Sequence, residues 1–306
     1  MAAASDLVRG RHAIVTGGSS GIGLALVRRL VRLGATVSVI ALPDIDLARV
    51  RREQPSVGCV AADVADRTQT YRAVDACVAA RGPCDLLVTC AGVVLPGYFP
   101  ALPDGEFERE MAVNYFGTLW PIRAVVPDMT ARRRGAIVAI SSFGGLMGVY
   151  GMGAYSPTKY AVRGLCETLR LELKPYGVHV AAVYPTDVDT PMLAREVPLH
   201  PPEQDAMQGT VEPVAPEVVV DAILDGLRRG RTRIYPGRGV GLLARLAGAA
   251  PGFATWYADR KIANALTPAG GAAPRRPRLP RREAGHRTTH LAQAGRGTGA
   301  THRDQA

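Results

Sequence analysis

The chain is short of lysine, of aromatic residues, of paired cysteines and of long apolar runs, and each shortage excludes something. Five cysteines (59, 77, 84, 90 and 166) are odd in number and form no C-x-x-C pair, which argues against a disulfide framework and against a zinc site. Free thiols, a reducing compartment and no metal are expected. The longest apolar stretch, Val240 to Ala258, is interrupted by Arg245 and by Pro251-Gly252, short of the roughly 18 residues a spanning helix needs. It is suited to rest on a membrane as a peripheral contact, not to cross one. The N-terminal residues run straight into a strand without the apolar core of a secretory signal, so no export is expected and the location reads as cytoplasmic. Aromatic residues make up 6% of the chain and none falls in its basic tail, against a folded, specific nucleic-acid reader.

The net charge of +10 is unevenly placed. Residues 267–306 hold eight arginines against Glu283 and Asp304, which is +6 of the total and leaves +4 for the rest. That segment is rich in Pro, Gly, Ala and Arg with almost no large apolar side chains, so it reads as a disordered tail. Before it, short β-rich runs alternate with helical patterns. The runs are 12–16, 36–40, 57–61, 85–89, 136–140, 178–184 and 232–236; the helical segments are 22–33, 44–53, 66–81, 104–131, 155–175 and 215–229. Nearly continuous apolar strands are covered on both faces, and repeated βαβ units give a doubly wound parallel α/β sheet of about seven strands, Rossmann-like. The expected organisation is one doubly wound domain over 1–236, which the motifs below make the dinucleotide-binding catalytic domain, a helical extension over 237–266 and the tail over 267–306. Residues 191–216, rich in proline, read as a long loop closing over a substrate.

The first strand leads directly into Gly17-Gly18-Ser19-Ser20-Gly21-Ile22-Gly23 and then a helical pattern. Glycines at 17, 21 and 23 allow a tight turn and let a pyrophosphate approach main-chain N–H groups at a helix N-terminus. A bare turn is the alternative, but the strand–turn–helix context favours a dinucleotide. Tyr155 and Lys159 stand four apart, on one face of a helix. An ammonium beside a phenol favours the phenolate and gives the Tyr a use in acid–base chemistry. With only three lysines against 34 arginines, a Lys here is not a matter of composition.

With its T-G-x-x-x-G-x-G turn, the sequence resembles the short-chain dehydrogenase/reductase superfamily over residues 8–235. The resemblance implies cofactor contacts from Gly17, Ser19, Ser20, Gly21, Ile22 and Gly23, from Asp63 and Val64 after the third strand, and from Ala91 and Gly92. Cys90 replaces the family's Asn, with the loss of a side-chain hydrogen bond. In Pro185-Thr186-Asp187-Val188-Asp189-Thr190 the family's clamp on the nicotinamide carries over to Pro185, Val188 and Thr190, with Thr186 in place of Gly. It further implies that Ser142, thirteen residues before Tyr155, polarises a carbonyl while Tyr155 gives the proton. Lys159 would serve both Tyr155 and the cofactor ribose, and Asn114 a proton relay.

At the end of the second strand stand Ala41 and Leu42, where an Asp would exclude a 2′-phosphate; its absence leans the cofactor to NADP(H), with NAD(H) open. The run from Ala154 to Leu193 is similar to that of the 3-ketodihydrosphingosine reductases, which implies reduction of a long-chain lipid ketone, with a membrane-associated setting and sphingolipid metabolism. The alternatives are a generic carbonyl or steroid/alcohol dehydrogenase and, in another class, a catalytically silent Rossmann-like binding protein. The expected partners are a small, lipid-like ketone or alcohol substrate and a second copy of the chain in a homo-oligomer.

Overall fold

The computed structural model describes residues 8–208, 212–237, 239–242, 244 and 251–266, so the expected tail lies outside the described residues. Seven strands form one sheet in the order β3-β2-β1-β4-β5-β6-β7, every pairing parallel. They are β1 His12–Thr16, β2 Thr36–Ala41, β3 Gly58–Ala61, β4 Leu86–Thr89, β5 Gly135–Ile140, β6 Val178–Val183 and β7 Arg233–Ile234. The first six match the sequence reading to within one residue at each end. The seventh is shorter than the expected 232–236, because only Arg233 and Ile234 pair with β6.

The sheet is largely buried on both faces because its strands are mostly apolar, and a layer of helices covers each side. On one face lie α1 Gly21–Arg32, α2 Ile45–Glu53 and α9 Pro216–Arg228; on the other, α3 Arg67–Arg81, α5 Gly117–Ala131 and α6 Tyr155–Leu173. In α1 the fully or nearly buried Leu24, Leu26, Val27 and Leu30 recur at helical spacing, each worth about 1.5–3 kcal/mol on burial, while Arg29 and Arg32 close its last turn. The chain builds β1 to β3 in one direction and returns to place β4 on the other side of β1. Ligands bind at such a switch point, at the carboxyl ends of the strands.

Two segments differ from the sequence reading. The expected helix 104–131 runs as α4 Asp104–Glu110, a π-helical turn over Met111–Phe116 and then α5, and the wide turn carries Asn114. The expected loop 191–216 is mostly helical: α7 Pro191–Glu196, a 3₁₀ turn Val197–Leu199 and α8 Pro202–Gln208 precede α9. The C-terminal helix α10, Pro251–Leu266, packs against α8. Among the described residues no helix is long and apolar enough to cross a membrane, and no three His, Cys, Asp or Glu gather as metal ligands.

Candidate active site

A cavity of about 1260 Å³ opens at the switch point. Gly17, Ser19, Ser20, Gly21, Ile22, Asp63, Val64, Ala91, Gly92, Ser142, Tyr155, Lys159, Pro185, Val188 and Thr190 all line it, which is every sequence-predicted residue except Gly23 and Asn114. Those two stand behind its wall.

The glycine turn is built for close approach. Gly17 sits at φ +65, and a Cβ there would lie 2.6 Å from the Ala91 Cα; at Gly23 a Cβ would collide with the Gly17 carbonyl. The two turns 17–23 and 90–92 are thereby pressed together. Thr16, which the sequence reading passed over, fastens them: its Oγ1 accepts from the N–H groups of Cys90 (3.2 Å) and Ala91 (3.4 Å). Cys90 stands close to the Gly23 N–H, which favours its thiolate, but burial outweighs this and holds the thiol protonated, up to about 11. Ser20 is the N-cap of α1 and makes no side-chain cap bond, so the helix terminus is open to the cavity. Asp63 is not an N-cap: Asp66 caps α3, and the Asp63 carboxylate accepts from the Ala65 N–H at 2.9 Å at the cavity edge. This cradle fits a dinucleotide lying from Ala41 and Asp63, across the glycine turn, to Val188 and Thr190. At that last end Thr190 Oγ1 donates to the Val188 carbonyl (3.1 Å) and its Cγ2 lies beside Gly21.

Tyr155 opens α6 and Lys159 follows one turn later, its Nζ 5.4 Å from the centre of the Tyr155 ring. The Tyr155 phenol lies beside the Ser142 hydroxyl, which favours its ionised form, and Ser142 Oγ accepts from the Gly144 N–H (3.1 Å). The competing Ser141 instead donates to the Lys159 carbonyl (2.9 Å), fixing α6 to the end of β5. Lys159 Nζ donates to the Ile140 carbonyl at 3.1 Å.

The electrostatics revise one expectation. Burial raises the Tyr155 pKa above its ordinary value, the neighbouring Ser142 hydroxyl recovers only part of that, and Glu196, Glu110 and Asp187 push the same way as burial. Lys159 is itself brought down to about 8 by burial. In this site, desolvation outweighs any lowering of the phenol by the lysine, and Tyr155 stays protonated at neutral pH. That is the state a proton donor needs.

Asn114 is fully buried and its side chain is spent on the wall: Oδ1 accepts from the Val93 N–H and Nδ2 donates to the Val93 carbonyl, each at 2.9 Å, with Thr158 Oγ1 at 3.1 Å. Asn114 Oδ1 and Lys159 Nζ flank Gly92. Its first effect is thus to position residues 92–93. Glu110, one turn earlier on the same helix face, holds the next residues through an Oε1 that accepts from the Leu95 N–H (2.6 Å), while Oε2 is buried without a partner.

Burial is the main cause that lifts Glu110 from 4.5 to about 7. The folded chain then keeps a proton that the unfolded chain gives up between those values, so this group's contribution falls as pH rises through the window and stays low above it. Glu110→Gln removes the titration. Thermal melts are expected to show the variant more stable than the wild type near pH 8, by up to about 3 kcal/mol, with the gap closing toward pH 5. An equal gap at both pH values would show that Glu110 is not the titrating group.

Comparison with known proteins now bears on this geometry. A sequence model of the short chain dehydrogenases matches residues 11–198. The chain belongs to the short-chain dehydrogenase family. It is 39% identical over 228 residues to the 3-ketodihydrosphingosine reductase of Bos taurus, covering 70% of this chain and 69% of that one. It is 36% identical to the 3-dehydrosphinganine reductase of Danio rerio, over 80% of this chain and 76% of the other. A 3-alpha-(or 20-beta)-hydroxysteroid dehydrogenase of Mycobacterium tuberculosis is 38% identical over 60% of this chain and 71% of its own. Among solved structures, a short chain dehydrogenase of Burkholderia cenocepacia in complex with NADP superimposes with a TM-score of 0.70 and 29% identity, covering 82% of this chain and 98% of that one. The protein is an oxidoreductase of the family that interconverts ketones and secondary alcohols with a nicotinamide cofactor.

Proposed function

We propose that the enzyme reduces a long-chain 3-keto amino alcohol, 3-ketodihydrosphingosine or a close homologue, with NADPH. The observation that carries this reading is a protonated Tyr155 beside Ser142 in a cavity whose walls are largely apolar, among them Met147, Met152, Met192, Leu193 and Leu199. Two relatives named for that reaction match most of the chain, which supports it further. Val197, on the same segment, is half-exposed and is not among the lining residues.

A dinucleotide held along the glycine turn and by Val188 and Thr190 would supply the hydride for the carbonyl carbon. Ser142 donates a hydrogen bond to the carbonyl oxygen, Tyr155 gives that oxygen its proton, and the C=O becomes CH–OH. Lys159 stabilises the phenolate left behind and holds the cofactor ribose, while Asn114 keeps the 92–93 wall in register for both. NADP(H) is favoured over NAD(H) because no carboxylate ends β2 at Ala41, and because Arg49 brings a cation to the glycine turn, its guanidinium 3.5 Å from the Ser19 carbonyl and paired with Asp46. The catalytic unit is taken as 1–236, with α10 closing the substrate end through Ala258, and with a second copy of the chain and a membrane surface as partners.

The test is turnover of purified enzyme with NADPH and with NADH on 3-ketodihydrosphingosine and on a steroid ketone of similar size. Preference for NADPH and for the sphingoid ketone is expected. Faster turnover of the steroid would move the enzyme to the other group of relatives.

A further inference from the structure

The walls of the substrate end come from two stretches that lie far apart in the chain. Met192, Leu193 and Leu199 stand on α7 and the 3₁₀ turn after it; Met147, Val149 and Met152 stand just before Tyr155. Behind the cavity the two stretches are joined. The Tyr98 hydroxyl donates to Glu203 Oε2 at the start of α8 (3.1 Å), across 105 positions of sequence. The Tyr98 ring meets the Tyr150 ring edge to face, 6.3 Å between centres, and the Gly97 N–H donates to the Gly151 carbonyl (2.8 Å). Residues 97–98 thus hold α8 on one side and 150–152 on the other. Gly151 completes the seam at φ +75, where a Cβ would lie 2.5 Å from Gln204 Oε1 and 3.1 Å from Pro201. Neither Tyr98 nor Glu203 lines the cavity itself.

Glu203 is ill suited to a static joint. It is 5% exposed and Gln204 beside it is wholly enclosed, yet the ion pair at this end of the segment, His200 with Asp205, does not include it. A buried carboxylate held by a phenol gives up more hydration than one hydrogen bond returns, and an apolar side chain there would bind the seam more tightly. On separation Glu203 regains water. Closed and open arrangements are thereby brought near each other in free energy, as a segment that must part and re-form requires.

We propose that Tyr98 and Glu203 form a latch for the substrate end, which holds α7 and α8 against residues 147–152 around a bound chain and parts to let that chain in and the product out. Both are positioning residues, acting through the apolar walls and not on the reacting atoms. The latch stands on the seam alone; only the length of the chain it retains rests on the reading of the substrate as a long-chain ketone. A short ketone held beside Ser142 and Tyr155 does not need the outer walls, whereas a long one is kept in place by them.

Hydrogen exchange and steady-state kinetics with NADPH test the latch on Tyr98→Phe, which keeps the ring against Tyr150 and removes the bond. The amides of 203–208 are expected to exchange about tenfold faster than in wild type while those of α1 do not change. KM for 3-ketodihydrosphingosine should rise about tenfold, with KM for a short-chain 3-keto analogue and the NADPH dissociation constant each within about twofold. Glu203→Gln, whose amide oxygen still accepts from the phenol, should lie between Tyr98→Phe and wild type. Gly151→Ala, which forces α8 away by another route, should give the same split and takes the place of Tyr98→Phe if that variant does not fold. Unchanged exchange at 203–208 would overturn the latch. Faster exchange with KM unmoved, or raised equally for both substrates, would overturn its hold on the substrate. Turnover of neither ketone by wild type would overturn the long-chain reading alone, and exchange would then decide the latch.

Discussion

Tyr155→Phe is expected to lower kcat for ketone reduction by about 10³-fold, while the dissociation constant for NADPH changes by no more than a few-fold. Phe keeps the ring that packs at the start of α6 and removes only the hydroxyl beside Ser142. A positioned proton donor contributes about 10² to 10⁴ in rate, and the buried phenol has that task alone in this account. Ser141→Ala is the control, because Ser141 is bonded to the Lys159 carbonyl and not to the phenol. Steady-state rates and NADPH titrations check both. Retention of more than roughly a tenth of wild-type kcat by Tyr155→Phe would show that the proton comes from elsewhere.

The second large effect concerns chain length. Met192 and Leu193 on α7, Leu199 just beyond it and Met147 and Met152 across the cavity give an acyl chain an apolar wall. Burial of a methylene contributes about 0.8 kcal/mol, so four additional methylenes raise kcat/KM by about two orders of magnitude where they reach that wall. A series of 3-keto substrates from short to long is expected to show a steep rise that then levels off. Leu199→Ser, at a half-exposed site where the change does not open a core cavity, should flatten it. A flat wild-type profile, or a preference for a small polar ketone, would remove the lipid from the account without touching the family assignment.

What was readable in the sequence, and what was not, divides along physical lines. The strands were legible because sheets covered on both faces demand uninterrupted apolar runs, as in Ala13–Val15 and Ile137–Ile140. The glycine turn and the Tyr155–Lys159 pair were legible because spacing alone sets them on one turn and one helix face. The segment 191–216 departs from the expected loop for a specific reason: its prolines suggest a loop, but Pro191, Pro202 and Pro216 each occupy the first position of a helix, where a missing N–H costs nothing. The π turn at Asn114 was hidden because periodicity does not register one extra residue per turn. Desolvation was the other blind spot. The Tyr155–Lys159 spacing suggests that Lys159 lowers the Tyr155 pKa, but only the fold reveals how far both are buried, and that Glu196, Glu110 and Asp187 act on the charge of the same phenol.

The central claim is hydride delivery to the keto carbon with a protein proton going to its oxygen. It is tested most directly by incubating the enzyme with 3-ketodihydrosphingosine and NADPH carrying deuterium at the transferable position of the nicotinamide, then locating the label in the product. The account predicts one deuterium, on the carbon that bore the ketone, in a single configuration, with no label from heavy water at that carbon and almost no product from Tyr155→Phe. Label absent from that carbon, or formation of the product by Tyr155→Phe at the wild-type rate, would contradict it.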